Sequence, residues 1–130
     1  MTYLVDTDWV ADHLKGREPV VSTLLGLADE GLAISTITYG EIYDGIYAGR
    51  DPTGHERGFR SFLRAVRVLP LSRATMRWFA SVRGDLRRRG QPFGDMDLLI
   101  AATALGRDLT LLTRNRREFG RISGLRLYEA

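Results

Sequence analysis

The stretch that most constrains the fold is Gly94-Asp95-Met96-Asp97-Leu98-Leu99-Ile100-Ala101-Ala102-Thr103-Ala104-Leu105-Gly106. It predicts a helix that is apolar nearly all round, with two carboxylates at its start and a glycine at its end. Such a helix belongs in the core of a domain, not on its surface. Asp95 suits the cap, where a side-chain oxygen accepts from orphan N–H groups, and Gly106 suits the C′ position. Asp97 has two readings. It complements the positive end of the helix dipole, or it serves a site, because a carboxylate on a buried helix wants a cation or a donor beside it.

The rest of the chain alternates strand and helix. Thr2-Tyr3-Leu4-Val5 predicts a first, central strand ending at Asp6, and Thr7-Asp8 can cap a helix through Trp9, Val10, Ala11 and Leu14. Pro19 to Glu30 predicts a second helix closed by Gly31, and Leu32 to Thr36 a second strand. A helix from Thr38 carries Glu41 in its first turn. There Thr38-x-x-Glu41 reads either as a capping box or as an acid delivered to the carboxyl end of a strand. Gly49 to Gly58, broken by Pro52 and Gly54, predicts a loop or frayed end, after which Phe59, Phe62, Leu63 and Val66 resume a helical stripe. Val68 to Leu71 predicts an edge strand because of Pro70. Ser72 opens a long helix ending in Arg87-Arg88-Arg89-Gly90, where a cluster of cations also favours the dipole. Leu109 to Thr113 predicts a fourth strand and Gly124 to Tyr128 a fifth, at an edge.

This pattern predicts an α/β fold, a three-layer αβα arrangement over a mostly parallel sheet of four to five strands. With 130 residues, 44% of them hydrophobic and 27% charged, the expectation is one domain spanning 1–130. No apolar run is long enough for a membrane span, and Met1 to Asp6 lacks the basic region of a signal peptide. The absence of cysteine excludes disulfides and thiolate zinc sites, and a cytoplasmic location is expected. His13 and His55 are too few for a histidine metal site and read as surface or structural residues, and Trp9, Tyr39 and Tyr43 read as core or dimer-interface residues. Of the 19 basic residues only Lys15 is a lysine. Arginine suits bidentate phosphate contacts, although a GC-rich genome also encodes it by default.

Right-handed crossovers bring the carboxyl ends of parallel strands to one edge. That edge collects Asp6, Glu41, Asp97 and the Asn115–Glu118 segment, with Asp95 and Asp8 nearby. Carboxylates converging without lysine partners repel unless hard cations sit between them, and Mg²⁺ or Mn²⁺ is the natural filler. An acidic pocket in an arginine-rich chain is a nuclease design. The arginines draw in the phosphate backbone, and the metal activates water and stabilises the leaving oxygen.

The residues carry a resemblance. Leu4-Val5-Asp6-Thr7, Thr38-x-Gly40-Glu41-Ile42, Asp97-x-x-Ile100-Ala101-Ala102-x-Ala104 and Leu112-Thr113-x-Asn115-x-x-Glu118-Phe119 follow one another in order. Together they resemble, nearly end to end, the PIN-domain ribonucleases and within them the VapC-type toxins of toxin–antitoxin pairs. The resemblance implies a Mg²⁺- or Mn²⁺-dependent endoribonuclease, a homodimer, and a small cognate antitoxin that blocks the site. It implies catalytic roles for Asp6, Glu41, Asp97 and Glu118, with Asp6 and Asp97 as metal ligands and Glu41 a ligand directly or through water. Position 115 is Asn where many members of the wider family have Asp. Either Glu118 supplies the fourth carboxylate or Asn115 acts as a neutral ligand. Asp95, Asn115 and Thr113 are supporting candidates, Asp95 as a helix cap or as a residue behind the metal. Arg114, Arg116 and Arg117 are candidate RNA contacts.

Two rival readings remain. Asp6-Thr7-Asp8-Trp9-Val10 fits the opening of a haloacid-dehalogenase-type phosphatase with Asp6 as nucleophile, but that fold wants a later lysine and only Lys15 exists. A PIN-like module that binds RNA or a partner without cutting is compatible with Asn115.

Overall fold

The computed structural model describes residues 1–129. Its centre is a parallel sheet of four strands: β1 (Tyr3–Val5), β2 (Leu32–Ser35), β3 (Arg67–Leu69) and β4 (Thr110–Leu112), in the order β3-β2-β1-β4. Leu4 pairs with Ala33 on one side and Leu111 on the other, and Ser35 pairs with Leu69. β3 lies at an edge, as Pro70 predicts.

Successive strand residues point to opposite faces, and both faces are covered. Leu4, Ala33 and Leu111 pack with Leu86, Leu98, Ile100, Ala101 and Phe119, from α5 (Arg73–Arg88), α6 (Asp95–Arg107) and α7 (Arg116–Phe119). Val5, Ile34 and Leu112 pack with Val10, Leu24, Ile42, Ile46, Phe59 and Phe62. These come from α1 (Thr7–Leu14), α2 (Val20–Leu27), α3 (Thr36–Ala48) and α4 (Pro52–Leu63). The expected three αβα layers are present. Leu98, Ile100, Ala101, Ala102 and Ala104 of α6 are all fully buried. Each large aliphatic there contributes roughly 1.5–3 kcal/mol of burial.

The helix ends differ from expectation in instructive ways. α6 runs through Gly106, and Asp108 takes the left-handed position at its end, φ 57°. Gly106 instead lets α5 approach: a Cβ there would meet Thr75 Oγ1 at 3.4 Å and Trp78 at 3.5 Å. Gly94 occupies the N-cap of α6 without a side-chain bond, so Asp95 does not cap it. At α1 the cap is Asp6, one residue earlier than Thr7-Asp8. At α3 it is Ser35, whose Oγ accepts from the Thr38 N–H at 3.1 Å. Thr38 therefore lies inside the helix and the capping box does not form.

Residues 52–58, expected as loop or frayed end, are helix and join the expected stripe from Phe59 in α4. Pro52 begins α4 at a position where its missing N–H costs nothing, and Asp51 accepts from the Gly54 N–H. The expected fifth strand reduces to one parallel bridge, Leu111 to Leu127, beside β4. Among the described residues no helix is long and apolar enough to cross a membrane.

The chain lays β1, β2 and β3 outward in one direction, then returns to add β4 on the other side of β1. The strand order thus reverses at β1. In open α/β sheets ligands bind outside the carboxyl ends of the strands at such a switch point.

Candidate active site

Two strand ends build the floor of that crevice. Asp6 follows β1 and its N–H donates to Leu112 O at 2.9 Å, which locks it beside the end of β4. Thr113 follows β4, and its hydroxyl donates to Asp6 Oδ2 at 2.6 Å. The other carboxylate oxygen of Asp6 accepts from the Thr7 N–H at 2.8 Å. Asp6 is 5% exposed. Burial pushes its carboxyl up to about 7, and the charges of Asp8 and Asp97 push the same way against the two hydrogen bonds.

A second clamp holds Glu41. The Thr7 hydroxyl donates to Glu41 Oε1 at 2.6 Å and lies 3.0 Å from Thr38 Oγ1. Thr38 is fully buried. The Glu41 side chain is thus tied to the turn after Asp6, not to its own helix start. Asp97, in the first turn of α6, is half-buried and has no hydrogen-bond or ion-pair partner among the described residues. Its carboxyl is raised by burial first, then by the charges of Glu41, Asp8 and Glu118. Asp6, Glu41 and Asp97 are therefore brought to one edge, with Glu118 within electrostatic reach.

The remaining predicted residues divide. Thr113 stands at the centre of the floor, also accepting from the Asn115 N–H at 3.0 Å. Asn115 is the N-cap of α7 but makes no side-chain cap bond. Glu118 is exposed and paired with Arg121. Asp95 pairs with Arg83 of α5. Arg114 is engaged internally, its guanidinium 3.8 Å from Asp8 and 3.5 Å from Asp12. Arg116 pairs with Glu129 at 3.1 Å. Arg117 is exposed without an ion-pair partner among the described residues. Lys15 is the C-cap of α1, a helix length or roughly 12 Å from Asp6 at the other end, which removes the lysine a dehalogenase-type site would use.

Asp8 has a larger part than sequence reasoning gave it. Its Oδ2 accepts from the Arg114 N–H at 3.1 Å and lies 3.5 Å from the Thr113 hydroxyl, while its Oδ1 is buried with no partner. Burial raises its carboxyl, and Arg114 opposes that. The signal was present in the spacing: Asp6-Thr7-Asp8 packs three polar groups into the first turn of a helix whose neighbours are apolar. Thr7 and Thr38 were missed as side-chain partners because a hydroxyl in a helix start reads as a cap.

The donor set is all oxygen, which suits a hard divalent cation. Asp8 Oδ1 is an orphaned buried acceptor, and each Asp6 oxygen keeps a lone pair beyond its single hydrogen bond. Among the described residues no three acidic or histidine side chains close up as a finished cage. Glu41 is drawn to Thr7 and Glu118 to Arg121, and like charges at this edge repel. The residues fit such an ion, with Asp6, Asp8 and Asp97 the most committed to the crevice.

A parallel αβα sheet that masses buried carboxylates at its switch point, in an arginine-rich chain, defines a class: metal-assisted hydrolases of phosphodiesters. The model of the PIN domain matches residues 3–125, and the chain belongs to the PIN-domain family, among its VapC-type toxin ribonucleases. It is 29% identical to the tRNA(fMet)-specific endonuclease VapC of Shigella flexneri, covering 97% of this chain and 96% of that one. It is 30% identical to ribonuclease VapC2 of Rickettsia felis, over 96% and 95% of the two. Among solved structures, VapBC2 from Rickettsia felis bound to a promoter DNA fragment matches with TM-score 0.93 at 28% identity, covering 98% of each chain. DNA-bound VapBC from Salmonella typhimurium matches with TM-score 0.92 at 27% identity, over 98% and 97%. Nucleases of this family depend on divalent metal ions.

Proposed function

We propose that this chain is a Mg²⁺-dependent endoribonuclease, with Mn²⁺ able to substitute, and the toxin of a toxin–antitoxin pair. One observation carries the reading. The charges that raise Asp6 and Asp97 are other carboxylates: Asp8 and Asp97 on the first, Glu41, Asp8 and Glu118 on the second. A pocket of that sign binds a divalent cation or keeps its acids protonated.

Asp6 and Asp97 are the proposed direct ligands, and Glu41 a ligand directly or through water. Glu118 or Asn115 gives outer support. A divalent cation held there supplies the charge that activates water and steadies the leaving oxygen of the phosphodiester. The chain's own groups prepare for it. Thr113 and the Thr7 N–H fix the rotamer of Asp6, and the Thr7 hydroxyl fixes Glu41. Arg117, exposed and unpaired among the described residues, is the proposed first contact for the RNA backbone. Arg114 and Arg116 act first as counter-ions to Asp8, Asp12 and Glu129. Asp95 joins α6 to α5 through Arg83.

The proposed partners follow from the relatives, whose solved complexes pair toxin with antitoxin. They are an RNA substrate, a small cognate antitoxin that blocks the acids, and a second copy of the chain in a homodimer, all in the cytoplasm. The test is incubation of total RNA with the purified protein in Mg²⁺, Mn²⁺ or EDTA, beside Asp97→Asn. Discrete fragments should appear only with metal, and Asp97→Asn should cut at least about a hundredfold more slowly. RNA that is bound but left intact in the presence of metal would instead establish a binding module.

A further inference from the structure

A groove of about 340 Å³ opens beside Glu41, lined by Thr36, Ile37, Gly40, Glu41 and Asp44 of α3 and by Met96 of α6. It lies at the small end of the range for ligand sites. We infer that this groove receives the guanine base of the nucleotide next to the bond that is cut. The inference rests on the nuclease reading above and adds a base preference to it.

Position comes first. Glu41 belongs both to the acid edge and to the groove wall. A phosphodiester held at that edge therefore lays one of its flanking nucleotides along the groove.

The lining then selects the occupant. Ile37 and Met96 give apolar surface for the faces of a flat ring, and Met96 is 54% exposed. The polar side chains of the lining all present acceptors. Thr36 spends its hydroxyl proton on Leu69 O at 3.2 Å, which leaves its lone pairs. Glu41 has Oε1 occupied by Thr7 and Oε2 remaining. Asp44 is exposed and has no hydrogen-bond or ion-pair partner among the described residues. A wall whose polar side chains are all acceptors asks for a donor edge. Guanine alone among the four bases offers two adjacent donor groups, N1–H and N2–H₂, which match the two oxygens of one carboxylate in a bidentate pair.

Gly40 leaves its part of the groove wall open. It lies inside α3, where glycine weakens a helix relative to alanine. A Cβ at that position would touch nothing within 4 Å. Packing within the chain therefore gives no reason for the missing side chain.

The experiment measures binding in EDTA, so that cleavage plays no part. Oligonucleotides of uridine carrying a single central A, C or G are titrated against the full chain by fluorescence anisotropy. The wild type should hold the guanine oligonucleotide about tenfold tighter than the others. Gly40→Leu, which fills the groove with a better helix former, should bring that ratio to about one. Asp44→Asn, isosteric and exposed, should do the same and serves if Gly40→Leu does not fold. Equal wild-type affinities for all three overturn the assignment, as does a guanine preference that survives both variants. Equal affinities together with saturable binding of arginine amide would give the groove to a protein side chain instead. Guanine preference without metal-dependent cutting keeps the groove and sinks the nuclease reading; cutting without base preference does the reverse.

Discussion

Thr113 shows how much one hydroxyl can hold. It donates to the buried Asp6 carboxylate and accepts from the Asn115 N–H, so it ties the end of β1 to the loop that starts α7. Thr113→Val keeps the shape and removes both bonds. It leaves a buried carboxylate oxygen and a backbone N–H short of partners, at a cost of roughly 1–3 kcal/mol. The variant should lose stability of that order in a urea titration. Because the Thr113 bond lowers the Asp6 carboxyl from where burial alone would put it, its loss raises that carboxyl further above about 7. The pH at which Mg²⁺-dependent cleavage reaches half its maximum should therefore move up. A stability loss with an unmoved pH midpoint would mean that Thr113 braces the loop and does not tune Asp6.

Among the elements, α6 repays the closest attention, because its sequence predicted its burial and its start correctly and its caps wrongly. The apolar run from Leu98 to Ala104 could only be core, and it is. Gly106, however, offers two physical uses that sequence cannot separate: a left-handed cap, or a flat place for another helix. The structure takes the second, with α5 lying close over it. The two uses predict opposite mutants. Gly106→Ala should change stability by less than about 1 kcal/mol, since ordinary contact with Thr75 and Trp78 offsets the gain in helix propensity. Gly106→Leu should cost about 1–3 kcal/mol by prying α5 from α6. Thermal unfolding of the pair decides; an alanine variant as damaged as the leucine one would contradict this packing.

The same ambiguity explains the other misread ends. Pro52 can break a helix or begin one, and only the burial of Phe59 and Phe62 behind it shows which. Thr38 can cap or can bridge, and the choice depends on Thr7, a residue 31 positions away. The central place of β1, the edge place of β3 and the edge to which Asp6, Glu41 and Asp97 belong were legible, because they follow from alternation, from Pro70 and from crossover handedness. Contacts such as Asp8 with Arg114 were not, because nothing local in either stretch refers to the other.

At the scale of the molecule, the chain sets a small acidic crevice in a surface of net charge +3. On the proposed reading the exposed arginines draw in RNA, an attraction that should weaken as salt rises. The crevice works on a different variable, protons. The Asp6 carboxyl stands at about 7 in the fold against an ordinary value of 3.8, because burial and the charges of Asp8 and Asp97 disfavour its ionised form. A folded-state value raised in this way stabilises the fold at low pH, and that contribution is lost as the pH rises through about 7. In EDTA, then, the melting temperature should fall from about pH 5 to about pH 8. A divalent cation needs the carboxylates ionised, so it should stabilise little at the acid end and progressively more toward the alkaline end. Melting curves with and without Mg²⁺ should therefore diverge as pH rises. Asp6→Asn, which cannot ionise, should flatten the EDTA curve and close most of the gap. A Mg²⁺ effect of constant size across that range would mean that the ion binds elsewhere than at the buried acids.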